Sequence, residues 1–115
     1  MVELGELVLM STTKNVLAEG IEIIGTIKFQ NDMIIDGKVE GEIQSDKGTV
    51  TIGENARIKG DVRAGEVKMF GHVEGGIHAE RCELKANSRL EGDITTKSLK
   101  MEEGALLSGK MQTGG

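Results

Sequence analysis

The chain of 115 residues has no proline, no tryptophan and no tyrosine, and its only aromatic residues are Phe29 and Phe70. Large aromatics supply much of the buried area of an ordinary globular core, so a compact globule built around them is excluded. A single cysteine, Cys82, excludes an intramolecular disulfide, and the lack of a disulfide framework suits a reducing compartment. No window approaches the ~20 apolar residues of a membrane-spanning helix. Met1 to Met10 carry Glu3 and Glu6 and no basic residue, whereas a secretory signal wants a positive start and a longer apolar run. The expected location is therefore the cytoplasm. The net charge is −5 with both signs mixed along the chain. That pattern lacks the basic face needed for non-specific nucleic-acid binding.

What the chain does have is 17 glycines and a repeat. A five-residue unit, apolar–x–Gly–x–apolar, runs Ile23–Ile27, Val39–Ile43, Ile58–Val62, Val73–Ile77, Leu90–Ile94 and Leu107–Met111. Its glycines are 16, 19, 15, 17 and 17 residues apart. From the second unit onward an apolar pair precedes each one: Met33 and Ile35, Val50 and Ile52, Val67 and Met69, Cys82 and Leu84, Leu99 and Met101. Alternation within the pairs is the period-two signature of a strand. Two residues before each of these units stands a small residue, Gly37, Ala56, Gly71, Ser88 or Ala105, which suits a tight corner.

Strands that return every 15 to 19 residues without hairpin turns leave no residues for a return stroke. A solenoid satisfies the pattern: each repeat is one coil, equivalent strands stack in parallel about 4.8 Å apart, and the apolar members point inward. The expected fold is thus all-β, a single-domain parallel β-helix of about six coils. Residues 20–112 form it, 1–19 are a tail without repeat, and 113–115 are a short C-terminal tail.

Left-handed β-helix enzymes of the hexapeptide acyltransferase type keep coils near 18 residues. Ile52 to Arg57 and Ile58 to Arg63 look like two hexapeptides, but Val67 and Met69 then arrive one residue early. The uneven lengths suit a right-handed or irregular solenoid better. The catalytic inventory agrees. His72 and His78 are the only histidines and recur in no neighbouring coil, whereas a trimeric zinc site of the hexapeptide-type carbonic anhydrases needs three. Alternation makes His72 and His78 surface positions beside inward Val73 and Ile77, and Cys82 a small core residue. No glycine unit leads into a helix with a following Lys-Ser/Thr, as a phosphate-binding loop requires. No catalytic residue, metal site or cofactor is expected.

Outward ladders run Glu40, Lys59, Glu74 and Glu91 on one side of the glycines and Glu42, Asp61 and Asp93 on the other. They form a solvated face, or the surface through which a non-polymerising solenoid would bind a partner. Attention then falls on the ends, since a solenoid exposes an unpaired edge and an open apolar cross-section at each terminus unless capped. No cap is evident. The coil enters through Ile21, Ile23 and Ile24 and leaves through Leu106, Leu107 and Met111. Such ends invite end-to-end stacking, and a contact that does not close makes a filament.

Three stretches give a specific resemblance: Gly37 to Ile43, Ile52 to Val62, and Arg89 to Ile94 followed by Glu102 to Ala105. In order and spacing they resemble the bactofilin domain, over roughly Ile21 to Met111. The resemblance implies a right-handed parallel β-helix that polymerises end to end without nucleotide. It also implies a bacterial cytoskeletal scaffold, often on the inner face of the membrane, that positions cell-wall enzymes and shapes the cell. Its partners would be further copies of itself and cell-wall enzymes or other scaffold proteins. The chain departs in having Leu107 where members often have Phe, and in lacking their Pro-rich tails. Some members attach to membrane through a short N-terminal peptide; Val2, Leu4, Leu7, Val8, Leu9 and Met10 are the residues here that would do so, with Glu3 and Glu6 opposing an anionic surface.

Overall fold

The computed structural model describes the backbone of residues 2–9 and the whole of residues 15–113. Its elements are all strands: β1 (Val2–Leu9), β2 (Asn15–Leu17), β3 (Glu22–Phe29), β4 (Asp32–Ile35), β5 (Lys38–Gln44), β6 (Thr49–Ile52), β7 (Arg57–Met69), β8 (His72–Glu74), β9 (Ile77–Leu84), β10 (Arg89–Glu91), β11 (Ile94–Met101), β12 (Leu106–Ser108) and β13 (Met111–Thr113). All pairings between them are parallel. The result is a parallel β-solenoid of about six turns with three walls.

Inward side chains form continuous ladders. On the first wall Val39, Ile58, Val73, Leu90 and Leu107 follow one another. On the second the ladder is Ile27, Ile43, Val62, Ile77, Ile94 and Met111. The third carries two, Met33–Val50–Val67–Cys82–Leu99 and Ile35–Ile52–Met69–Leu84–Met101. Members between the ends are at most 2% exposed, and each contributes roughly 1.5–3 kcal/mol of apolar burial. Stacking at about 4.8 Å per rung builds a short rod whose longest dimension is 32 Å.

The three corners explain the uneven coil length. Between first and second walls the inward residues are always four apart, from Ile23–Ile27 to Leu107–Met111. The glycine in the middle of each unit has φ between 136° and 142°, a region that L side chains avoid. A Cβ on Gly41, Gly60, Gly75, Gly92 or Gly109 would fall on the carbonyl oxygen of the corner glycine one coil earlier. From Gly25 to Gly109 this corner therefore keeps both its length and its glycine, and only the edge strand β1, with one extra residue opposite Gly25, departs from it. The other two vary. From third wall to first, Ile35–Val39 and Met69–Val73 are four apart, but Ile52–Ile58, Leu84–Leu90 and Met101–Leu107 are six apart. The longer corners are turns in which the N–H of Ala56, Ser88 or Ala105 donates to the carbonyl three residues back, each at 3.1 Å. The short ones pivot on Gly37 and Gly71, where a Cβ would meet backbone carbonyls of the preceding coil.

The start of the solenoid differs from the sequence reading. Residues 1–19 show no repeat in the sequence, yet β1 pairs with β3 and β2 with β4. A bulge hides the match. Glu3 sits opposite Ile24 and Glu6 opposite Thr26, so two residues of β1 span the place of Gly25 alone. One extra residue defeats a search for a five-residue unit. On the third wall Leu17 takes the place of Ile35 one coil earlier and is buried.

Candidate functional site

Along each inward ladder exposure is negligible until the last rung, and then it jumps. Leu84 is fully buried, but Met101, next in its ladder, is 45% exposed; Ile94 is 1% exposed and Met111 50%. Leu99, Ala105 and Leu107 are half-buried beside them. The edges are open too, since β12 pairs only with β10 and β13 only with β11 among the described strands. The C-terminal end thus joins an apolar cross-section to a row of unpaired backbone N–H and C=O groups. Both invite another sheet edge.

Outward columns tell the same story. On the first wall one column runs Glu22, Lys38, Arg57, His72 and Arg89, then ends in Leu106 at 54% exposure. Its neighbour passes from Glu3 of β1 to half-buried Ile24 and continues Glu40, Lys59, Glu74, Glu91 and Ser108. On the third wall Val16 and Ile34 precede Thr51, Lys68, Glu83 and Lys100. Each of these columns is polar in the middle of the rod and turns apolar at one end. Val16, Ile21, Met101, Leu106 and Met111 are the large exposed apolar side chains of the described residues, and all lie in the first or last coil.

The residues singled out from the sequence fall in three groups. Leu106, Leu107 and Met111 stand together on the last rungs. Ile21 is an exposed corner residue, and its N–H donates to the carbonyl of Ala18 at 3.3 Å. Ile23 is 5% exposed because β1 lies across it, so it is one rung inside the entry end, with Ile24 half-buried next to it. Met10 and the side chains of Val2, Leu4, Leu7, Val8 and Leu9 lie outside the described residues. Sequence reasoning missed Met101 and Val16. Met101 was legible as the final member of its ladder, since it is position on the last rung that exposes it.

Groups with chemical potential are dispersed. Cys82 is buried and points inward, and burial, aided by Glu83, pushes its thiol up to about 12; it is no nucleophile. His78 is exposed on the second wall, while His72 lies on the first beside Glu74 and Glu91. On the third wall the Lys85 ammonium is 2.9 Å from Glu83 and 3.8 Å from Glu102. Its hydrogen bond holds the Glu83 carboxyl below the usual range, and Glu83 raises Lys85 in return. The acidic ladder beside the glycines has a structural task. Asp61 accepts from the Gly76 N–H at 3.1 Å and Asp93 from the Lys110 N–H at 3.3 Å, each tying one coil to the next.

Comparison with known proteins fits this geometry. The family model for bactofilin, described as polymer-forming cytoskeletal, matches residues 15–112. The chain belongs to the bactofilin family. Bactofilin BacO of Myxococcus xanthus (strain DK1622) is 32% identical over 104 residues, covering 90% of this chain and 80% of that protein. Bactofilin BacP of the same organism is 29% identical over 100 residues, covering 86% of this chain and 41% of BacP. Among solved structures, Thermus thermophilus bactofilin in double helical filaments superposes with a TM-score of 0.83 at 27% identity. That match covers 87% of this chain and 99% of that one. The cytoskeletal bactofilin BacA, solved by solid-state NMR, gives 0.64 at 30% identity over 95% of this chain and 96% of its own. Bactofilins are structural cytoskeletal proteins rather than enzymes, which sets aside the acyltransferase reading.

Proposed function

We propose that this chain polymerises end to end, without nucleotide, through the apolar surfaces of its terminal coils. The filament would serve as a cytoplasmic scaffold that positions cell-wall or cell-shape machinery. The observation that carries the assembly step is that, among the described residues, the large exposed apolar side chains are confined to the first and last coils. Apolar patches of that kind mark interaction sites, and a contact between opposite or like ends that does not close propagates. The filaments of the Thermus thermophilus relative support the same step. Independence from nucleotide is part of the same proposal and is tested together with assembly.

Sedimentation tests it. Purified protein in nucleotide-free buffer with EDTA is expected to pellet at high speed, with a concentration threshold. A supernatant that holds monodisperse monomer at every concentration contradicts the proposal. Attachment to the inner face of the cytoplasmic membrane through residues 2–10 belongs to the same reading. In the structure the backbone of Val2–Leu9 is paired to β3. Vesicles of neutral and anionic lipid should carry down the full chain and not a chain beginning at Asn15; failure of both to bind removes the membrane from the account.

A further inference from the structure

We propose that His72, Glu74 and Glu91 form a site for one divalent transition-metal ion on the first wall of the solenoid. The register creates it. His72 and Glu74 are two apart on β8 and so share the outward face, and Glu91 is the partner of Glu74 on β10, one rung later. His72 Nε2 lies 3.9 Å from Glu74 Oε1 and 3.9 Å from Glu91 Oε2. The three donor atoms lie within 4.8 Å of one another. An ion among them needs each donor to close by roughly half an ångström to reach the usual 2.0–2.2 Å, a movement that side-chain torsions supply.

A second observation points to a missing ligand. The ring of His72 is partly exposed, yet its Nε2 is shut off from solvent and has no hydrogen-bond partner. A buried polar atom left in that state destabilises the fold. A metal ion satisfies it and neutralises two carboxylates stacked on adjacent rungs, which otherwise repel. One imidazole nitrogen with two carboxylate oxygens suits zinc, cobalt, nickel or manganese better than calcium or magnesium, which prefer oxygen alone. Arg57 and Arg89 stand in register on either side of His72, and Lys59 beside Glu74. Their charge weakens the site without occupying it. The bound ion would tie β8 to β10, one coil to the next, and the inference does not depend on polymerisation.

Cobalt(II) is the probe, added to full-length protein that carries no histidine tag, with binding read by calorimetry and by the visible absorption of the ion. The expected result is one ion per chain, a visible band typical of nitrogen–oxygen coordination, and a higher melting temperature with metal than without. Glu91→Gln and His72→Gln should each bind at least about tenfold more weakly, while Glu40→Gln, in the column of Glu91 but three rungs earlier, should bind as wild type. Circular dichroism establishes that each variant keeps its β signal. No saturable binding, or binding unchanged in Glu91→Gln, overturns the site and leaves a histidine–glutamate ion pair only.

Discussion

At Gly60 an added Cβ would land on the carbonyl oxygen of Gly41, and the backbone φ is 137°. Gly60→Ala therefore carries two penalties: backbone strain of about 1–3 kcal/mol, and displacement of one coil from the next. Gly104 also has positive φ, but the nearest atom to its Cβ position is 3.7 Å away. Gly104→Ala should carry only the backbone strain, about 1–3 kcal/mol, without the steric displacement, so equilibrium melts in denaturant should rank Gly60→Ala well below it. Equal losses would show that the glycine stack is not what restricts this corner. Cys82 gives a second test at this scale. Its folded thiol keeps its proton up to about 12, whereas the ordinary value is 9.0. Above pH 9 the unfolded chain holds fewer protons than the folded one, so this residue's contribution to stability declines as pH rises from 9 through about 12. Native protein should resist thiol reagents at pH 8. Cys82→Val, matching Val50 and Val67 in the same ladder, should flatten the alkaline decline; an unchanged decline would assign it to other groups.

Among elements, the walls hold register and the corners absorb variation. The short corner Phe70-Gly71 should therefore accept the four-residue turn of the preceding coil, Gly53 to Ala56, with a small change in melting temperature. A single residue inserted between Val73 and Ile77 should be far worse, because Gly75 is stacked between Gly60 and Gly92, whereas the bulge of β1 has a neighbour on one side only. Comparable losses from both changes would contradict this division of roles. The same division explains what could be read from the sequence. The ladders were legible because alternation and the glycine unit repeat in the same order in six coils. The strand β1 was not, since its bulge puts two residues where Gly25 stands alone. The neighbourhood of His72 was also hidden: its partner Glu91 is 19 residues away in sequence and adjacent only once coil length sets the register.

For the molecule as a whole, uniform polar sides and apolar tips make length the direction of growth. Sequence reasoning reached the tips from the place where the repeat stops, but it set Ile23 at the opening when β1 covers it. A charge at Ile23 would thus damage the core and is a poor probe of assembly. Leu107 is the better position, half-buried on the last rung with no strand beyond it among those described. The most direct measurement is negative-stain electron microscopy of nucleotide-free protein, comparing wild type, Leu107→Glu and the side-wall variant Lys59→Glu, each with an intact β circular-dichroism signal. The account predicts filaments for wild type and Lys59→Glu and single particles for Leu107→Glu. Filaments of normal length from Leu107→Glu, or none from wild type, would contradict it.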